Sequence, residues 1–445
     1  MKTACETSSL GFAAKHGVRR RAAIVVAVGA ALAAAIPVFE SHLGSARDAS
    51  GPRFLKPASS VNQSLVRSLG QFAFANPQGL WMTTETGKLA HLSTASHASD
   101  PGWSSDGRYL AYETAGPDGA NPEFHVYSVR LGRTIYRQPS VWGFAWQPGH
   151  DRVAVWGSTS VVLSMTARGV HRIGSLPTPD GRLIWSSQGD TLIDSRTLGS
   201  GPQRYDQVYA VPVSQGQLGT PRALFRSPNG SGILLAASVP HSDQIVYWTE
   251  PQFSASLLAD GTSLALWHAA SKMTSTYPDM LPYPDYLTWG QPGRWAYMAG
   301  GPRAISGGKS VVLVQHGRIQ ILSAPQGREA LEPSMNPKTG ALAAVLAQSA
   351  PNASWGLGHA YRRWVQTRRL AVWNRGTWTV WSNAGRGVTD PVWLPNGGGI
   401  LYLAGNRLWL VRTAHTPPQA VLGPIPSVGG YYGEILRSSL WSLHS

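Results

Sequence analysis

The sequence predicts an all-β fold, a β-propeller of four-stranded blades that follows one N-terminal transmembrane helix. A Trp, a short polar turn and an alternating apolar strand recur several times along the chain. Gly (49) and Pro (32) are plentiful and Trp (18) is unusually frequent, which is typical of many short strands joined by tight turns. A hydrophobic content of 42% excludes a disordered chain.

The recurring unit is clearest in DPGWSSDGRYLAYET, which runs from Asp100 to Thr114. The last residue before each polar turn marks one unit, and the spacing between markers is roughly 40–60 residues, which is typical of a propeller. Trp occupies five of the marker positions, whereas Ser238 and Met335 occupy the other two. The markers are Trp103, Trp146, Trp185, Ser238, Trp289, Met335 and Trp393.

Each unit reads as one blade. Alternating apolar residues after the turn indicate strands with a face buried between neighbouring blades. The marker Trp is expected to end the innermost strand and fill space between adjacent sheets, while Asp-Gly or Pro-Gly supplies the turn's backbone angles. Residues 70–95 supply three strands and the C-terminal stretch supplies one, so both ends together complete a further blade. This favours eight blades; seven follow if the copy near Ser238 belongs to a loop.

The N-terminal region predicts a membrane address. Residues 1–21 form a basic cytoplasmic segment, and residues 22–39 form an apolar stretch about long enough to span a bilayer as an anchor or uncleaved signal. Because positive residues stay in the cytoplasm, the rest of the chain is expected on the extracytoplasmic side of the cell membrane. Secretion after signal cleavage is the alternative. Residues 40–67 are expected to be a linker and residues 68–445 the propeller.

The repeat resembles that of the TolB-like propellers, whose units carry a Trp-Ser-Pro-Asp-Gly turn before an apolar strand. The match here is Trp103-Ser104-Ser105-Asp106-Gly107, with Ser105 in place of the family's Pro. Asp-Pro before the Trp, at Asp100 and Asp390, also fits. The resemblance covers residues 68–445 and implies the propeller fold. Proteins with this fold include periplasmic envelope components, gating domains of enzymes, sensors and scaffolds, so it leaves the function open.

The sequence contains little that indicates chemistry. The one cysteine, Cys5, lies before the apolar stretch, so an internal disulfide is excluded. No metal-binding spacing and no nucleophile elbow is present, so no cofactor, metal or catalytic residue is predicted. The sequence therefore predicts a membrane-anchored extracytoplasmic propeller that binds a protein, a peptide or a cell-envelope polymer as a non-catalytic scaffold or sensor. The alternative is an enzyme, a lyase or hydrolase with its site in the central channel. The acids of such an enzyme would come from comparable positions of the repeats, namely Asp106, Asp180, Asp285 and Asp390. The competing explanation of these acids is that they cap turns.

Two inserts break the repeat spacing, one at residues 271–286 and one at residues 351–369. The first is expected to be a stiff aromatic loop. The second combines aromatic and Arg side chains, which are enriched in binding sites and suit carboxylate or phosphate groups. The predicted binding residues are Trp355, His359, Tyr361, Arg362, Arg363, Trp364, Arg368 and Arg369. The expected partner is an envelope protein, a peptide or an anionic cell-wall polymer, not a nucleic acid; solvated Arg and packed Trp side chains are the alternative.

Overall fold

A computed structural model describes residues 60–445 except 96, 117–120, 178, 180, 427, 428 and 431. The predicted basic N-terminus, the predicted transmembrane segment 22–39 and most of the predicted linker therefore lie outside the described residues. Within the described part of the chain, no helix has the length and apolar content needed to cross a bilayer.

The described residues form eight antiparallel sheets, which are the eight blades of a propeller. The strands of blades 1–4 are β1 (Ser60–Val61, added to blade 8), β2 (Gln71–Asn76), β3 (Gly79–Thr83), β4 (Leu89–Ser93), β5 (Ala98–Trp103), β6 (Tyr109–Thr114), β7 (Glu123–Ser128), β8 (Arg133–Pro139), β9 (Val141–Trp146), β10 (Arg152–Gly157), β11 (Ser160–Thr166), β12 (Gly169–Leu176), β13 (Ile184–Trp185), β14 (Thr191–Leu198), β15 (Tyr205–Ser214), β16 (Gln217–Leu218) and β17 (Arg222–Arg226). The strands of blades 5–8, and the last strand, are β18 (Ser231–Ser238), β19 (Ile245–Pro251), β20 (Thr262–His268), β21 (Met273–Met280), β22 (Leu287–Trp289), β23 (Arg294–Ala299), β24 (Ser310–Gln315), β25 (Arg318–Leu322), β26 (Arg328–Met335), β27 (Leu342–Gln348), β28 (Arg369–Asn374), β29 (Thr377–Val380), β30 (Thr389–Trp393), β31 (Ile400–Ala404), β32 (Arg407–Val411), β33 (Gln419–Gly423) and β34 (Trp441–His444).

Helices are short and lie in connections between strands. The α-helices are α1 (Gln63–Leu69), α2 (Ala255–Ala259), α3 (His359–Val365) and α4 (Arg437–Leu440). The 3-10 turns are Gly201–Gln203, Pro284–Tyr286, Trp355–Leu357 and Ser382–Ala384.

The two ends of the chain close the ring. The C-terminal strand β34 is the innermost strand of blade 1 and pairs with β2, with Trp441 opposite Phe74. At the other end, β1 pairs with β33 at the outer edge of blade 8. Eight blades, with one completed by both ends, confirm the prediction. The copy near Ser238 is a full blade, because β18 to β21 form a four-stranded sheet.

The structure differs from one predicted boundary and from one predicted loop. The propeller begins no later than residue 60 rather than at 68, because Val61 pairs with Leu422 and α1 buries Leu65 and Val66 against blade 8. The stretch 271–286 is not a long loop: most of it is β21, the outermost strand of blade 5, followed by a 3-10 turn. Pro and Tyr in this stretch had indicated a loop, but an outermost strand tolerates Pro because its outer edge has no partner strand.

The marker tryptophans tie neighbouring blades together, as predicted. Trp103 and Trp393 end the innermost strands β5 and β30. The indole nitrogen Nε1 of Trp146 donates a hydrogen bond of 2.9 Å to the carbonyl of Gly102 in the preceding blade. Trp185 does the same to Ala145, again at 2.9 Å. Both of these indoles therefore bind the carbonyl of the residue that precedes the marker Trp of the preceding blade.

The innermost strands all begin on one side of the ring, which we call the upper face. Long connections of blades 5, 6 and 7 (residues 252–261, 300–309 and 349–368) lie there, together with the segment 424–440 that leads to β34. These four segments form a cap. Within it, the backbone N–H of Ile305 donates to the carbonyl of Tyr432 (3.1 Å), and that of Ser354 donates to Ser306 Oγ (3.1 Å).

Candidate functional site

Three innermost strands carry the same acid–proline bulge where they enter the central channel. Asp100, Glu332 and Asp390 each precede a Pro, and each has a left-handed backbone, with φ of 53°, 51° and 52°. The pairing with the next strand shifts at each of these residues. Positive φ is unfavourable for residues other than Gly, by about 1–3 kcal/mol, so three copies of it mark a locally strained neck of the channel.

The carboxylates of this neck are occupied by the protein's own groups. Glu332 forms a fully buried ion pair with Arg368 and accepts a hydrogen bond of 2.7 Å from the backbone N–H of Asp390. Asp390 in turn accepts a hydrogen bond of 3.1 Å from the indole of Trp441. These contacts link blade 7, blade 8 and the closing strand β34.

The C-terminal segment crosses the upper mouth of the channel. Asp285, between blades 5 and 6, accepts hydrogen bonds from the backbone N–H (3.0 Å) and the hydroxyl (2.7 Å) of Ser438. Asp100, in blade 2, accepts one of 2.9 Å from the hydroxyl of Ser439. Two adjacent serines thus bind acids from distant blades, and the last part of the segment 424–440 lies over the channel.

A small cavity remains below this segment. Its volume is about 40 Å³, which is room for about three water molecules. Its lining includes Asp285, Glu332, Asp390, Ile435 and Arg437. The described residues contain no group of three or more His, Cys, Asp or Glu side chains placed to share a metal ion. This cavity has room for water-sized guests and is too small for a sugar or a peptide.

Burial in the neck favours the neutral forms of its ionisable groups. It raises the pKa of Asp390 well above its ordinary value; Arg437 opposes this shift and Glu332 adds to it. Burial also raises the pKa of Asp100, and hydrogen bonds from Ser99 and Ser439 oppose that shift. Burial lowers the pKa of Arg182, against the pull of Asp285 and Asp100. The neck is therefore electrostatically unfavourable for the folded state once its acids ionise.

Asp390→Asn is expected to stabilise the protein at pH 7 and to flatten the pH dependence of its unfolding. Because the folded pKa of Asp390 is raised, its contribution to stability is fully present below the ordinary carboxyl pKa and is lost as pH rises through the folded pKa. Asn keeps an acceptor for Trp441 and tolerates positive φ. Thermal unfolding midpoints at pH 4 and pH 7 test this: the variant and the natural protein should coincide at pH 4 and separate at pH 7.

The control for this prediction is Asp390→Ala, which removes the carboxylate and also the acceptor for Trp441. It should be less stable than Asp390→Asn at both pH values, since a buried donor without a partner costs about 1–3 kcal/mol. If the difference in unfolding midpoint between Asp390→Asn and the natural protein is the same at pH 4 and at pH 7, the prediction is contradicted.

The predicted binding residues of 351–369 separate into three groups by their exposure to solvent. Tyr361, Trp364 and Arg368 are buried: the indole of Trp364 donates to the carbonyl of Gln348 (2.9 Å), and Arg368 pairs with Glu332. Arg369 is half-buried and donates to two backbone carbonyls. The exposed group consists of Trp355, His359, Arg362 and Arg363.

The insert 351–369 is largely helical. Helix α3 follows a 3-10 turn, and its apolar side buries Tyr361 and Trp364 while Arg362 and Arg363 point outwards in its last turn. Trp355 is 49% exposed, and its ring stands perpendicular to that of Tyr432, at 5.3 Å between centroids. The aromatic and cationic side chains that a partner could contact therefore stand on a packed support.

The four acids expected at one mouth do not form one ring. Asp285 and Asp390 line the channel cavity. Asp106 lies in the turn on the opposite face, where it caps its own turn by accepting hydrogen bonds from Arg108 and Ser104. Asp180 lies outside the described residues.

Sequence reasoning missed Asp100, Glu332 and Arg437 as channel residues. A signal for the two acids was present, because Asp100, Glu332 and Asp390 each stand three residues before a marker and directly before a Pro. Arg437 had no such signal, since its position depends on where the C-terminal segment crosses the ring.

No family model and no curated protein matches the chain. Its structure is similar to that of dipeptidyl peptidase 4 from Porphyromonas gingivalis, with a TM-score of 0.53 and 10% identity over 80% of this chain and 60% of that one. It also matches an oligogalacturonate lyase in complex with manganese (TM-score 0.45, 11% identity, 80% of this chain and 98% of that one) and TolB from Acinetobacter baumannii (0.37, 14%, 57% and 63%).

The chain spans about half to three fifths of the length of the peptidases that it matches. At such low identity these similarities show the propeller fold alone, because unrelated activities use this fold. The fold implied by the TolB-like resemblance is confirmed, whereas the repeat type stays a prediction.

Proposed function

We propose that the protein is a non-catalytic binding scaffold, anchored in the cell membrane by residues 22–39, whose propeller binds an envelope protein, a peptide or an anionic envelope polymer outside the cytoplasm. The observation that carries the proposal is the position of the C-terminal segment. Ser438 and Ser439 occupy the acids of the channel neck and leave a cavity of about 40 Å³ beneath. A channel closed by its own chain favours recognition by the outer surface of the cap.

Rigidity supports this proposal. Trp355, Arg362 and Arg363 are exposed on a helical insert whose other side is buried against blade 7 and the C-terminal segment. Tyr361 donates to the carbonyl of Gly433 (3.5 Å), which joins the insert to that segment. Binding to a preorganised surface avoids much of the ordering entropy that a flexible loop would lose.

A pull-down from detergent-solubilised membranes tests the proposal. The bait is the full-length protein, compared with a cap variant (Trp355→Ala, Arg362→Ala and Arg363→Ala). A partner of the natural protein should be reduced at least tenfold with the cap variant, because exposed aromatic and Arg side chains carry much of the energy of binding sites.

The matched control is Arg168→Ala with Arg318→Ala, two exposed arginines on the opposite face; Arg168 lies in a turn and Arg318 is the first residue of β25. This control removes the same number of positive charges and should retain the partner. Equal retention by all three baits would overturn the cap as the binding surface. Absence of any partner, together with turnover of an oligosaccharide or peptide that is lost in Asp285→Asn, would overturn the scaffold in favour of the enzyme alternative.

A further inference from the structure

Three arginines converge on the upper face of blade 7, and we call them the arginine rim. Arg328 begins β26 and Arg369 begins β28, on either side of β27. Arg328 pairs with Gln348, and Arg369 pairs with Leu346 two residues away on the same strand. Paired residues project to one face of a sheet, so both guanidinium-bearing side chains project to the same face of this blade.

The third member, Arg386, comes from the connection between β29 and β30. The backbone N–H of Gly387 donates to the carbonyl of Arg368 (3.1 Å), which places Arg386 beside Arg369. Helix α3 ends at this point, and its exposed Arg362 and Arg363 extend the positive surface. Positive charge thus accumulates where blade 7 meets the cap.

Arg369 is held in place by the backbone. Its Nη1 donates to the carbonyls of Gln366 and Arg368, both at 2.8 Å. Partial burial lowers the pKa of Arg369, and the positive charges of Arg386 and Arg328 lower it further. The side chain remains ionised because the ordinary pKa of Arg is so high, so like charges are kept together at an electrostatic cost.

The described part of the chain offers this rim no counter-charge. None of its three arginines forms an ion pair with a described carboxylate. Glu329, which follows Arg328 in the sequence, is buried and forms no ion pair with the rim. Its carboxylate accepts hydrogen bonds from the backbone N–H of Gly308 (2.8 Å) and from Ser349 Oγ (2.7 Å). An anion from outside the chain would relieve the repulsion.

We propose that the arginine rim, Arg328, Arg369 and Arg386, binds phosphate groups of an anionic ligand. One phosphate presents three or four acceptor oxygens and up to two negative charges to converging guanidinium groups, whereas a carboxylate presents two oxygens and one charge. Arg369, fixed by the backbone, positions the group, and the exposed Arg328 and Arg386 close around it. This inference rests on the proposed binding role of the upper face and names the chemistry of its ligand.

Titration calorimetry of the full-length protein in non-ionic detergent tests the site. The probes are long-chain polyphosphate, inorganic phosphate, mixed micelles of the detergent with an anionic phospholipid, and polyglutamate as the carboxylate comparison. The rim variant Arg328→Gln with Arg386→Gln spares the partly structural Arg369, and Arg168→Gln with Arg318→Gln is the charge-matched control. The rim variant should bind polyphosphate at least tenfold more weakly, and the control less than twofold.

The other probes distinguish the source of the phosphate. Tight binding of polyphosphate alone indicates a polymer, tight binding of the mixed micelles indicates lipid headgroups, and tight binding of inorganic phosphate indicates a small ligand. Each result supports the site if the rim variant loses that binding. Equal weakening in the control, or polyglutamate bound as tightly as polyphosphate, would overturn the proposal. The two proposals can fail separately. If calorimetry shows no phosphate site but the rim variant still retains a protein partner in the pull-down, the binding-scaffold proposal stands and only the phosphate proposal is overturned.

Discussion

Trp441→Ala should lower the free energy of unfolding by about 3–5 kcal/mol, the usual range for removing a buried Trp. Trp441 is 2% exposed and opens the innermost strand of blade 1, where its ring packs on Phe72 at 6.3 Å between centroids. Its indole also donates to Asp390 of blade 8. Because this residue joins the closing strand to the rest of blade 1 and to blade 8, its loss weakens the closure of the ring. Urea unfolding followed by tryptophan fluorescence and circular dichroism measures the change.

Two variants give this prediction its controls. Trp441→Phe keeps an apolar ring and loses the hydrogen bond, so a smaller loss of about 1–2 kcal/mol is expected. Trp355→Ala removes an equally large side chain that is 49% exposed, and it should change the free energy of unfolding by about 1 kcal/mol or less. A similar effect of Trp441→Ala and Trp355→Ala would show that β34 does not hold the ring closed.

Arg368→Met should destabilise the fold by about 3–5 kcal/mol, because it leaves Glu332 as an uncompensated buried charge. Both side chains are almost inaccessible, at 0% and 3% exposure. Arg368 also donates to the carbonyl of Val388 (2.9 Å) and stacks over Trp364, with its guanidinium carbon 5.2 Å from the ring centroid. The pair therefore links the insert of blade 7 to the strand that enters blade 8.

A double-mutant cycle tests this pair directly. Adding Glu332→Gln to Arg368→Met removes the stranded charge and keeps an acceptor for the backbone N–H of Asp390, so the double variant should be more stable than Arg368→Met alone. Arg363→Ala, an exposed neighbour, should change stability by no more than about 0.5 kcal/mol. Additive effects of the two buried substitutions would contradict the ion pair as the source of stability.

The pair also shows why the candidate site was only partly predictable. Arg368 looked like a binding residue because it follows exposed-looking arginines in an insert. Its carboxylate partner, Glu332, is 36 residues away and reaches it across the blade. Local composition marks residue types that bind partners, but only the packing of strands decides which of them face solvent.

The blade interiors illustrate the same division. Alternation in β6 and its equivalents predicted one buried face, yet β27 is buried on both faces over Leu342–Ala347 because a neighbouring blade covers each side of the sheet. Likewise, residues 60–67 read as a polar linker, although Val61 pairs with Leu422 far along the chain. Contacts between distant segments outweighed local propensity in both places.

The sequence by itself determined the eight-bladed ring, the tryptophan that ends five of the inner strands and the closure of one blade by both chain ends. The polar turn and the apolar strand recur along the chain, so the sequence pattern alone is sufficient to predict the blades. Only the tertiary structure decided that Asp100, Asp285 and Asp390 meet the C-terminal segment at the channel mouth, and that Arg328, Arg369 and Arg386 meet at the rim. Residues from different blades come together through the radial arrangement of the sheets, and no local pattern encodes that distance.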